Sequence, residues 1–355
     1  MRVAHYCDGS GRPFAAVELP PPRKYRPVRS GGAGRTLRVN YSTDVESEAM
    51  STLEKNLEQE CRLEQGCGAL KTVIHPKEKN LGGFSVRRCL PNTGYKTVGP
   101  WVFFDHMGPA EFPAGEGINV RPHPHINIAT VTYLFDGEIL HRDSLGSEQA
   151  IRPGDINLMV AGSGIVHSER ERPAVRDSAH RLHGLQLWLA LPDQYAEMDP
   201  EFHHYPSDAI PSLMVDGVAT RVIMGTAFGV TSPVKTFAET LYVEMHLQPG
   251  QSVELPMAAE RAVYVASGAI QARDMEIPTH SMGIFAADEG VVITASEESR
   301  IAVIGGENVG PRRIVWNFVA ATEARLASAI SDWKSGRFPK VPGDSAEFIP
   351  FPGSD

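Results

Sequence analysis

Two pairs of potential metal ligands occur at the same spacing in this chain. His123 and His125 open the stretch RPHPHINIATVTYLFDGE, and His167 and Glu169 end the stretch RPGDINLMVAGSGIVHSE. Side chains at positions i and i+2 of a β-strand point to the same face of the sheet, so each pair can contact one object. Imidazole nitrogens and carboxylate oxygens are common ligands of transition metals. The spacing therefore predicts a metal site that two strands form together.

An isolated His-x-His can also end an exposed strand without binding anything. The second pair favours the metal site, because two strands that each present two ligands can close a four-point cluster. Three nitrogens and one oxygen leave one or two positions open on a metal that prefers five or six ligands, such as Fe(II), Mn(II) or Ni(II), whereas Zn(II) would be nearly saturated. We expect one divalent ion, with Fe(II) favoured and Ni, Mn or Cu as alternatives.

The elements that must position these side chains are short strands. From residue 73 to residue 191, apolar or alternating segments are separated by Gly, Pro and Asp, and a second block with the same rhythm runs from 237 to 305. Many short strands at such spacing indicate a β-sandwich or barrel. The polar stretch PDQYAEMDPEFHHYPSDAIP lies between the two blocks. It predicts a connection between domains, with His203 and His204 as linker histidines.

One helix is expected near the C-terminus, between residues 322 and 335. Leu326, Ile330 and Trp333 fall at positions i, i+4 and i+7, and Gly336 supplies the stop signal. We expect this helix to pack against a sheet.

The N-terminal part of the chain has a different composition. Residues 1–49 are rich in Pro, Gly, Arg and Ser without helical or strand periodicity, which favours disorder. Met50 opens MSTLEKNLEQECRLEQG, a helix-compatible stretch that is also a plausible start, so the first 49 residues are either a flexible extension or not translated. Neither a signal peptide nor an apolar run of membrane-spanning length is present. We expect a soluble, cytoplasmic protein.

Charge and cysteine content exclude further classes of protein. The formal net charge of -9 over 355 residues argues against direct nucleic-acid binding. The four cysteines do not form a disulfide framework, and no second pair follows Cys61 and Cys67 at zinc-site spacing. We expect ordinary reduced thiols at Cys7, Cys61, Cys67 and Cys89.

Four stretches resemble successive landmarks of the pirin family: FFDHMGP, HPHINIATVTYLFDGEILHRDSLGS, IRPGDINLMVAGSGIVHSE and HGLQLWLALP. The resemblance covers nearly all of residues 71–340. It implies an all-β bicupin fold, that is, two tandem cupin β-barrels with a short C-terminal helix. It also implies that the first cupin holds the metal through the four residues that the spacing selected, His123, His125, His167 and Glu169.

The second cupin differs from the first in its histidines. Near Gly250, where a His-x-His would be expected, the chain reads QSVELPMAAERAVYV, and His280 is the one later histidine. We therefore expect this barrel to be metal-free, with His280 as an ordinary surface or core residue. The predicted division of the chain is residues 1–70 as a disordered or flexible extension and lead-in, 71–192 as the metal-binding cupin, 193–236 as linker and connecting strands, 237–307 as the C-terminal cupin without metal ligands, and 308–355 as a C-terminal strand, helix and tail.

The chain departs from the family pattern after the second histidine. Many pirins read Arg-Gly-Phe-Glu there, whereas this chain reads Ile-Asn-Ile-Ala from Ile126 to Ala129. Glu169 is then the sole predicted carboxylate ligand, and we expect more apolar surroundings for the site.

Several neighbouring residues have two interpretations. His141 and Asp143 either support the metal ligands from behind or end a hairpin. His106 either braces the loop over the barrel mouth or contacts substrate. Four apolar residues either line a pocket above the metal or fill the barrel, namely Phe103, Phe104, Ile126 and Ile128.

The resemblance implies two competing functions. Some pirins open the flavonol quercetin with O₂, which predicts an oxidoreductase of the quercetin 2,3-dioxygenase type; its metal would bind the 3-hydroxy oxygen and Glu169 would take the hydroxyl proton as a general base. Other pirins bind transcription factors or metabolic enzymes, with the redox state of iron setting the surface shape. We favour the enzyme, with a flavonol-like aromatic substrate and O₂ as partners. A purely structural metal ranks last, because the predicted ligands leave coordination positions open.

Overall fold

A computed structural model of the chain describes residues 61–353, except 67, 81–83 and 288. The expectations for residues 1–49 and for a start at Met50 lie outside these residues. Of the helix-compatible stretch that follows Met50, the part from Arg62 to Gln65 is a β-strand. Cys61 and Cys89 are free thiols, and the other two cysteines lie outside the described residues.

The described residues form short strands and three helices. The strands of the first half are β1 (Arg62–Gln65), β2 (Leu70–His75), β3 (Glu78–Asn80), β4 (Ser85–Leu90), β5 (Trp101–Phe112), β6 (Val120–His125), β7 (Ile128–Asp136), β8 (Ile139–Asp143), β9 (Glu148–Ile151), β10 (Ile156–Val160), β11 (Ile165–Arg170), β12 (His180–Ala190) and β13 (Glu201–Tyr205). Those of the second half are β14 (Ser212–Val215), β15 (Val218–Met224), β16 (Thr226–Ala227), β17 (Val230–Thr231), β18 (Thr240–Leu247), β19 (Ser252–Glu254), β20 (Glu260–Ser267), β21 (Ile270–Ala272), β22 (Met275–Ile277), β23 (Met282–Phe285), β24 (Val292–Ala295), β25 (Ser299–Gly306), β26 (Arg313–Val315) and β27 (Phe318–Ala320). The helices are α1 (Pro173–Arg176), α2 (Asp193–Ala196) and α3 (Glu323–Lys334), with a 3₁₀ turn at Ser207–Ala209.

The strands build two double-sheet barrels, so the predicted all-β bicupin fold is confirmed. The first barrel combines a seven-stranded sheet, β13-β10-β7-β12-β5-β4-β3, with a four-stranded sheet, β6-β11-β8-β9. The second combines an eight-stranded sheet, β1-β2-β23-β20-β25-β18-β15-β14, with the sheet β19-β24-β21-β22. The first strands of the described chain, β1 and β2, thus belong to the sheet of the second barrel.

The two large sheets pack face to face through an apolar core. Along β12, Leu185, Leu187 and Leu189 lie in this core, while Gln186 and Trp188 point into the first barrel. Alternation along a strand explains the division. From Leu185 to Ala190 both faces of β12 are covered, and this part of the strand is apolar except for Gln186.

The stretch between the two strand-rich blocks, which was expected to be a linker, contains regular secondary structure. It contains α2 and the edge strand β13, which pairs with β10 of the first barrel. His203 and His204 lie on β13, where His203 Nε2 contacts Glu201 at 2.7 Å and His204 Nδ1 contacts Asn157 at 2.8 Å. Both histidines are therefore part of the sheet.

The predicted C-terminal helix is confirmed as α3. The Thr322 hydroxyl oxygen accepts from the backbone N–H of Arg325 at the N-terminus, and Gly336 has a φ of +68° just after the last turn. Leu326 and Ala329 are its buried residues. Within the part of the chain that is described, no helix is long and apolar enough to cross a membrane.

Candidate metal centre

Three of the four predicted ligands converge at one point inside the first barrel. His123 and His125 lie on β6 and His167 on β11, and the antiparallel pairing places His167 opposite His123. One ring nitrogen of each histidine lies within 4.8 Å of those of the other two. All three residues are buried. The strand geometry thus gives the i, i+2 pair its predicted common face.

The outer ring nitrogens of two of these histidines are engaged by backbone carbonyls. The Nδ1 of His123 lies 2.9 Å from the carbonyl oxygen of Arg121, and the Nδ1 of His125 lies 3.0 Å from that of Asn317. A carbonyl only accepts, so each Nδ1 carries the hydrogen and each Nε2 keeps a free lone pair. That tautomer is the one a metal ligand needs.

The third histidine is oriented by a chain of side chains. Asp143 Oδ2 lies 3.0 Å from His141 Nε2, and His141 Nδ1 lies 3.5 Å from His167 Nδ1. If Asp143 accepts from His141 Nε2–H, then His141 Nδ1 can accept from His167 Nδ1–H. The Nε2 of His167 is buried without a hydrogen-bond partner. Such a buried lone pair fits a bound cation. Both interpretations of Asp143 hold: it supports His167 through His141, and its Oδ1 accepts from the backbone N–H groups of Leu145 and Ser147 in the turn that follows β8.

Electrostatics keep the histidine cluster neutral. Burial lowers the pKa of His123 to about 4, and burial together with the neighbouring imidazoles holds the pKa values of His125 and His167 well below the ordinary value. For Asp143, burial acts in the opposite direction, but the hydrogen bond from His141 holds its pKa below the usual range. Three neutral imidazoles with free Nε2 atoms therefore fit a divalent transition metal.

The fourth predicted ligand, Glu169, lines the same cavity but is not part of the three-nitrogen group. It lies two residues after His167 on β11, and the pairing with β6 shifts between these two positions, so that Glu169 is opposite Val120. This irregularity is a β-bulge in β6, which re-aims side chains beside the site. Burial raises the pKa of Glu169 to about 7. Its role as a ligand remains a prediction.

A cavity of about 320 Å³ opens onto the three histidines. One wall is an aromatic pair, because Phe103 stacks on Trp188 with 3.9 Å between ring centroids and 9° between ring planes. Beside it, Arg88 and Asp105 form a buried two-bond ion pair, with both N···O distances at 2.7 Å. The residues that line this metal cavity are Phe84, Val86, Arg88, Phe103, Asp105, Met107, Ile118, Asn119, Val120, Arg121, His123, His125, Ile139, His167, Glu169, Gln186, Trp188, Trp316, Asn317 and Ile349.

Sequence reasoning missed several of these lining residues. Asp105 follows Phe103 by two positions on β5, and Gln186 precedes Trp188 by two on β12, so strand alternation was the signal that could have found them. Trp316, Asn317 and Ile349 lie far along the chain and carry no local signal.

The interpretations of other residues near the site had mixed outcomes. His106 does not lie over the barrel mouth; it is buried between the barrels, with Nδ1 2.7 Å from Tyr264 Oη and Nε2 2.7 Å from His183 Nε2. Of the four apolar candidates only Phe103 lines the metal cavity, whereas Phe104 lies in the core between the large sheets and Ile128 in the barrel core. Strand alternation explains the difference between neighbours on β5, because Phe104 and His106 face the second barrel while Phe103 and Asp105 face the cavity.

The residues that depart from the family pattern, Ile126 to Ala129, affect the packing of the interior and not the lining of the cavity. Ala129 is fully buried in the core between the sheets, and neither Ile126 nor Ile128 lines the cavity. Asn127 has a φ of +55°, a left-handed conformation that asparagine and glycine adopt most easily, and its side-chain amide donates to the carbonyl oxygen of Ala196 at 2.6 Å. The expected increase in apolar character around the metal site is therefore not found.

The second barrel has a cavity of a different kind. About 470 Å³ in volume, it is lined by residues of β2, β21, β23 and β24 and their connections, with Gln271, Arg273 and Thr294 as polar members. Of the residues that the structure describes, no His, Cys, Asp or Glu lines this cavity. The close group of three potential ligands, found within the same described part of the chain, lies in the first barrel. The metal-free second barrel remains a prediction for metal analysis.

Comparison with known proteins gives matches along both barrels. The family model described as Pirin matches residues 83–189, and that described as Pirin C-terminal cupin domain matches residues 242–339. A pirin-like protein of Caulobacter vibrioides is 45% identical over 79% of this chain and 98% of the relative, and human pirin is 31% identical over 75% and 92%. The crystal structure of quercetin 2,3-dioxygenase from Acinetobacter baumannii superimposes with a TM-score of 0.73 at 32% identity, covering 84% of this chain and 96% of that one.

Proposed function

The chain belongs to the pirin family, and on this premise we propose that it is a metal-dependent dioxygenase that opens flavonols of the quercetin type. The observation that carries the proposal is the convergence of three neutral imidazoles on a cavity that has room for an organic ligand. The similarity to a solved structure named quercetin 2,3-dioxygenase supports this choice of reaction.

The residues that would hold the ion are His123, His125, His167 and, as the carboxylate ligand, Glu169. A bound divalent ion, Fe(II) in our proposal, supplies Lewis acidity toward a substrate oxygen and redox capacity toward O₂. The hydrogen bonds at Nδ1 prepare the three histidines for metal binding, because each histidine then presents an unprotonated Nε2 to the cavity.

Glu169 is proposed as the general base. Burial raises the pKa of this carboxyl to about 7 before a metal binds, and a bound cation lowers it, so the proposed role rests on the position of Glu169 and on the oxygen that a one-oxygen ligand leaves free. Its place on the cavity wall, two residues from His167, allows its free oxygen to take the proton of a substrate hydroxyl. The proton then resides on the Glu169 carboxylate until the product leaves.

The walls of the cavity suit a flat aromatic substrate with several hydroxyl groups. The rings of Phe103 and Trp188 are parallel and stacked face to face, and Trp188 also meets the His125 ring edge-on with 4.8 Å between centroids. The guanidinium of Arg88 lies over the Phe103 ring, 4.2 Å from its centroid, so Phe103 is enclosed between Trp188 and Arg88. This rigid aromatic wall, with the charged and polar side chains of Asp105 and Gln186 on the same cavity, can orient an aromatic ring and bind its hydroxyl groups.

The test is an anaerobic mixture of quercetin and Fe(II)-loaded protein that is then exposed to O₂. We expect a shift of the flavonol absorption band on binding and its loss after O₂ enters. A metal-replete protein that leaves the band of every flavonol tested unchanged would overturn the proposal. The non-enzymatic alternative, an iron- and redox-sensing regulator that binds transcription factors or metabolic enzymes, would then take its place.

A further inference from the structure

The chain returns to the first barrel after it has completed the second. The hairpin of β26 and β27 lies beside β6, where Ile126 forms a parallel bridge with Phe318. The turn of this hairpin, Trp316 and Asn317, lines the metal cavity, and the Asn317 carbonyl accepts from His125. The site of the first barrel is thus completed by residues that follow the second.

The last described residues, 337–353, continue this wall and are called the C-terminal segment below. They contain neither helix nor strand. The backbone N–H of Ile349 donates to the carbonyl oxygen of Pro122, one residue before His123, at 2.9 Å, and the Ile349 side chain lines the metal cavity. Trp333 Nε1 donates to the Ile349 carbonyl at 3.1 Å. Both backbone groups of Ile349 are therefore fixed, which holds its side chain at the cavity.

Two further contacts hold the C-terminal segment in place. Val341 and Phe351 are buried, and the Phe351 ring packs edge-on against Trp316 with 5.5 Å between centroids. Residues of the segment on either side of Ile349 are thus anchored by apolar packing. Phe348, by contrast, is 56% exposed and does not line the cavity.

A cluster of ion pairs joins the C-terminal segment to strand β11. Arg170 Nε lies 2.6 Å from Asp344 Oδ2, Arg170 Nη2 lies 2.8 Å from Asp344 Oδ1, and Nη2 also lies 3.0 Å from Glu347 Oε1. Bidentate contacts of this kind fix the relative orientation of the two side chains and also contribute binding energy. Arg170 directly follows Glu169, so the segment is fastened to the strand that carries the proposed ligands.

From these contacts we propose that the C-terminal segment is the specificity-determining wall of the metal cavity, with Ile349 limiting the size of the ligand that reaches the metal and the Arg170 ion pairs holding the wall closed. The inference rests on the metal site of the proposed function and extends it to substrate selection. At about 320 Å³ the cavity is at the small end of ligand pockets, so the volume of one wall side chain matters.

The size limit is tested with Co(II)-loaded full-length protein and two bidentate oxygen ligands, catechol and the larger 2,3-dihydroxynaphthalene. Binding is read from the Co(II) absorption bands. We expect Ile349→Ala to raise the affinity for the larger ligand relative to catechol by about tenfold or more, and Ile349→Trp to lower it by a similar factor. Met214→Ala removes an apolar side chain that is 66% exposed on the second barrel and should leave the ratio unchanged. An unchanged ratio in both Ile349 variants would overturn the proposal.

The closing role of the ion pairs is tested with the double variant Asp344→Asn, Glu347→Gln. Its matched control is Glu148→Gln, which breaks the exposed pair with Arg142 in the same barrel. We expect trypsin to cleave the double variant after Lys340, beside the buried Val341, about tenfold faster than the parent, and EDTA to remove Co(II) faster. Rates equal to those of the control would contradict the closing role. Neither test uses flavonol turnover. If the protein shows the size limit but does not oxidise quercetin, the proposed reaction is wrong, while the proposed role of the C-terminal segment stands.

Discussion

The Nδ1 of His125 donates to the backbone carbonyl of Asn317 at 3.0 Å, across 192 residues of sequence. This hydrogen bond sets the tautomer of a proposed metal ligand in the first barrel from a hairpin that follows the second barrel. The metal site thus depends on residues far apart in the sequence, and the expected orientation of His125 requires the hairpin of β26 and β27.

The number of metal ions follows from the asymmetry between the barrels. We expect one divalent ion per chain, because the close three-histidine group lies in the first barrel and the described residues that line the cavity of the second include no His, Cys, Asp or Glu. Elemental analysis after metal loading checks this number, and His123→Ala combined with His125→Ala should abolish binding. Two ions in the parent protein would show that the second barrel also binds metal.

Asp143→Asn tests the orientation of His167. The amide can donate to His141 where the carboxylate only accepts, so the tautomer of His167 is no longer fixed. Loss of such support typically costs about 10- to 100-fold in metal affinity, and we expect a loss in this range by competition with a chelator. Asp193→Asn, which changes an exposed carboxylate that pairs with Arg312, is the control. Equal affinities for the two variants would rule out the orienting role.

The pH dependence of metal binding tests whether Glu169 is a ligand. Burial lowers the pKa of His123 to about 4 but raises that of Glu169 to about 7, so above pH 5 Glu169 is the group that must lose a proton. Affinity should therefore rise about tenfold per pH unit up to pH 7 and then level off. Glu169→Gln should remove this slope. A parent protein whose affinity is flat between pH 5.5 and 7 would indicate that three histidines bind the metal without Glu169.

The interface between the barrels should weaken in acid. Burial, aided by the charge of Arg300, lowers the pKa of His183 to about 4, below the ordinary value near 6.5. Between these two pH values the unfolded chain binds more protons at this position than the folded chain does, so the free energy of unfolding should fall as the pH drops from 6.5 to 4. Thermal melts of the metal-free protein measure this fall, and His183→Phe should reduce it. A melting temperature in the variant that drops as steeply as in the parent would contradict this assignment.

Local sequence patterns predicted the close group of three histidines better than its surroundings. His123, His125 and His167 converge because strand alternation is a local rule that needs no knowledge of neighbouring strands. The role of His141 depended on β8 lying beside β11, which is a matter of topology. His106 was misplaced because both faces of β5 are covered, one by the barrel interior and one by the second barrel, and alternation then does not say which face holds the site.

The most distant contributions to the site had no sequence signal at all. Asn317 and Ile349 act through backbone groups and a single aliphatic side chain, and any residue type supplies a backbone carbonyl. The helix α3, by contrast, was predictable to within a residue, because its cap, its apolar period and its terminal glycine are all local.

Oxygen incorporation by metal-replete parent and Glu169→Gln proteins tests the central claim most directly. Under ¹⁸O₂, the Fe(II)-loaded parent should consume one O₂ per quercetin, and mass spectrometry should find both labelled atoms in the products. Glu169→Gln keeps the shape and one oxygen of the side chain, so it should retain measurable iron while it loses the reaction. Turnover of quercetin by the iron-loaded variant at the parent's rate would refute Glu169 as the base, and an iron-replete parent that incorporates no ¹⁸O into any flavonol would contradict the proposed dioxygenase.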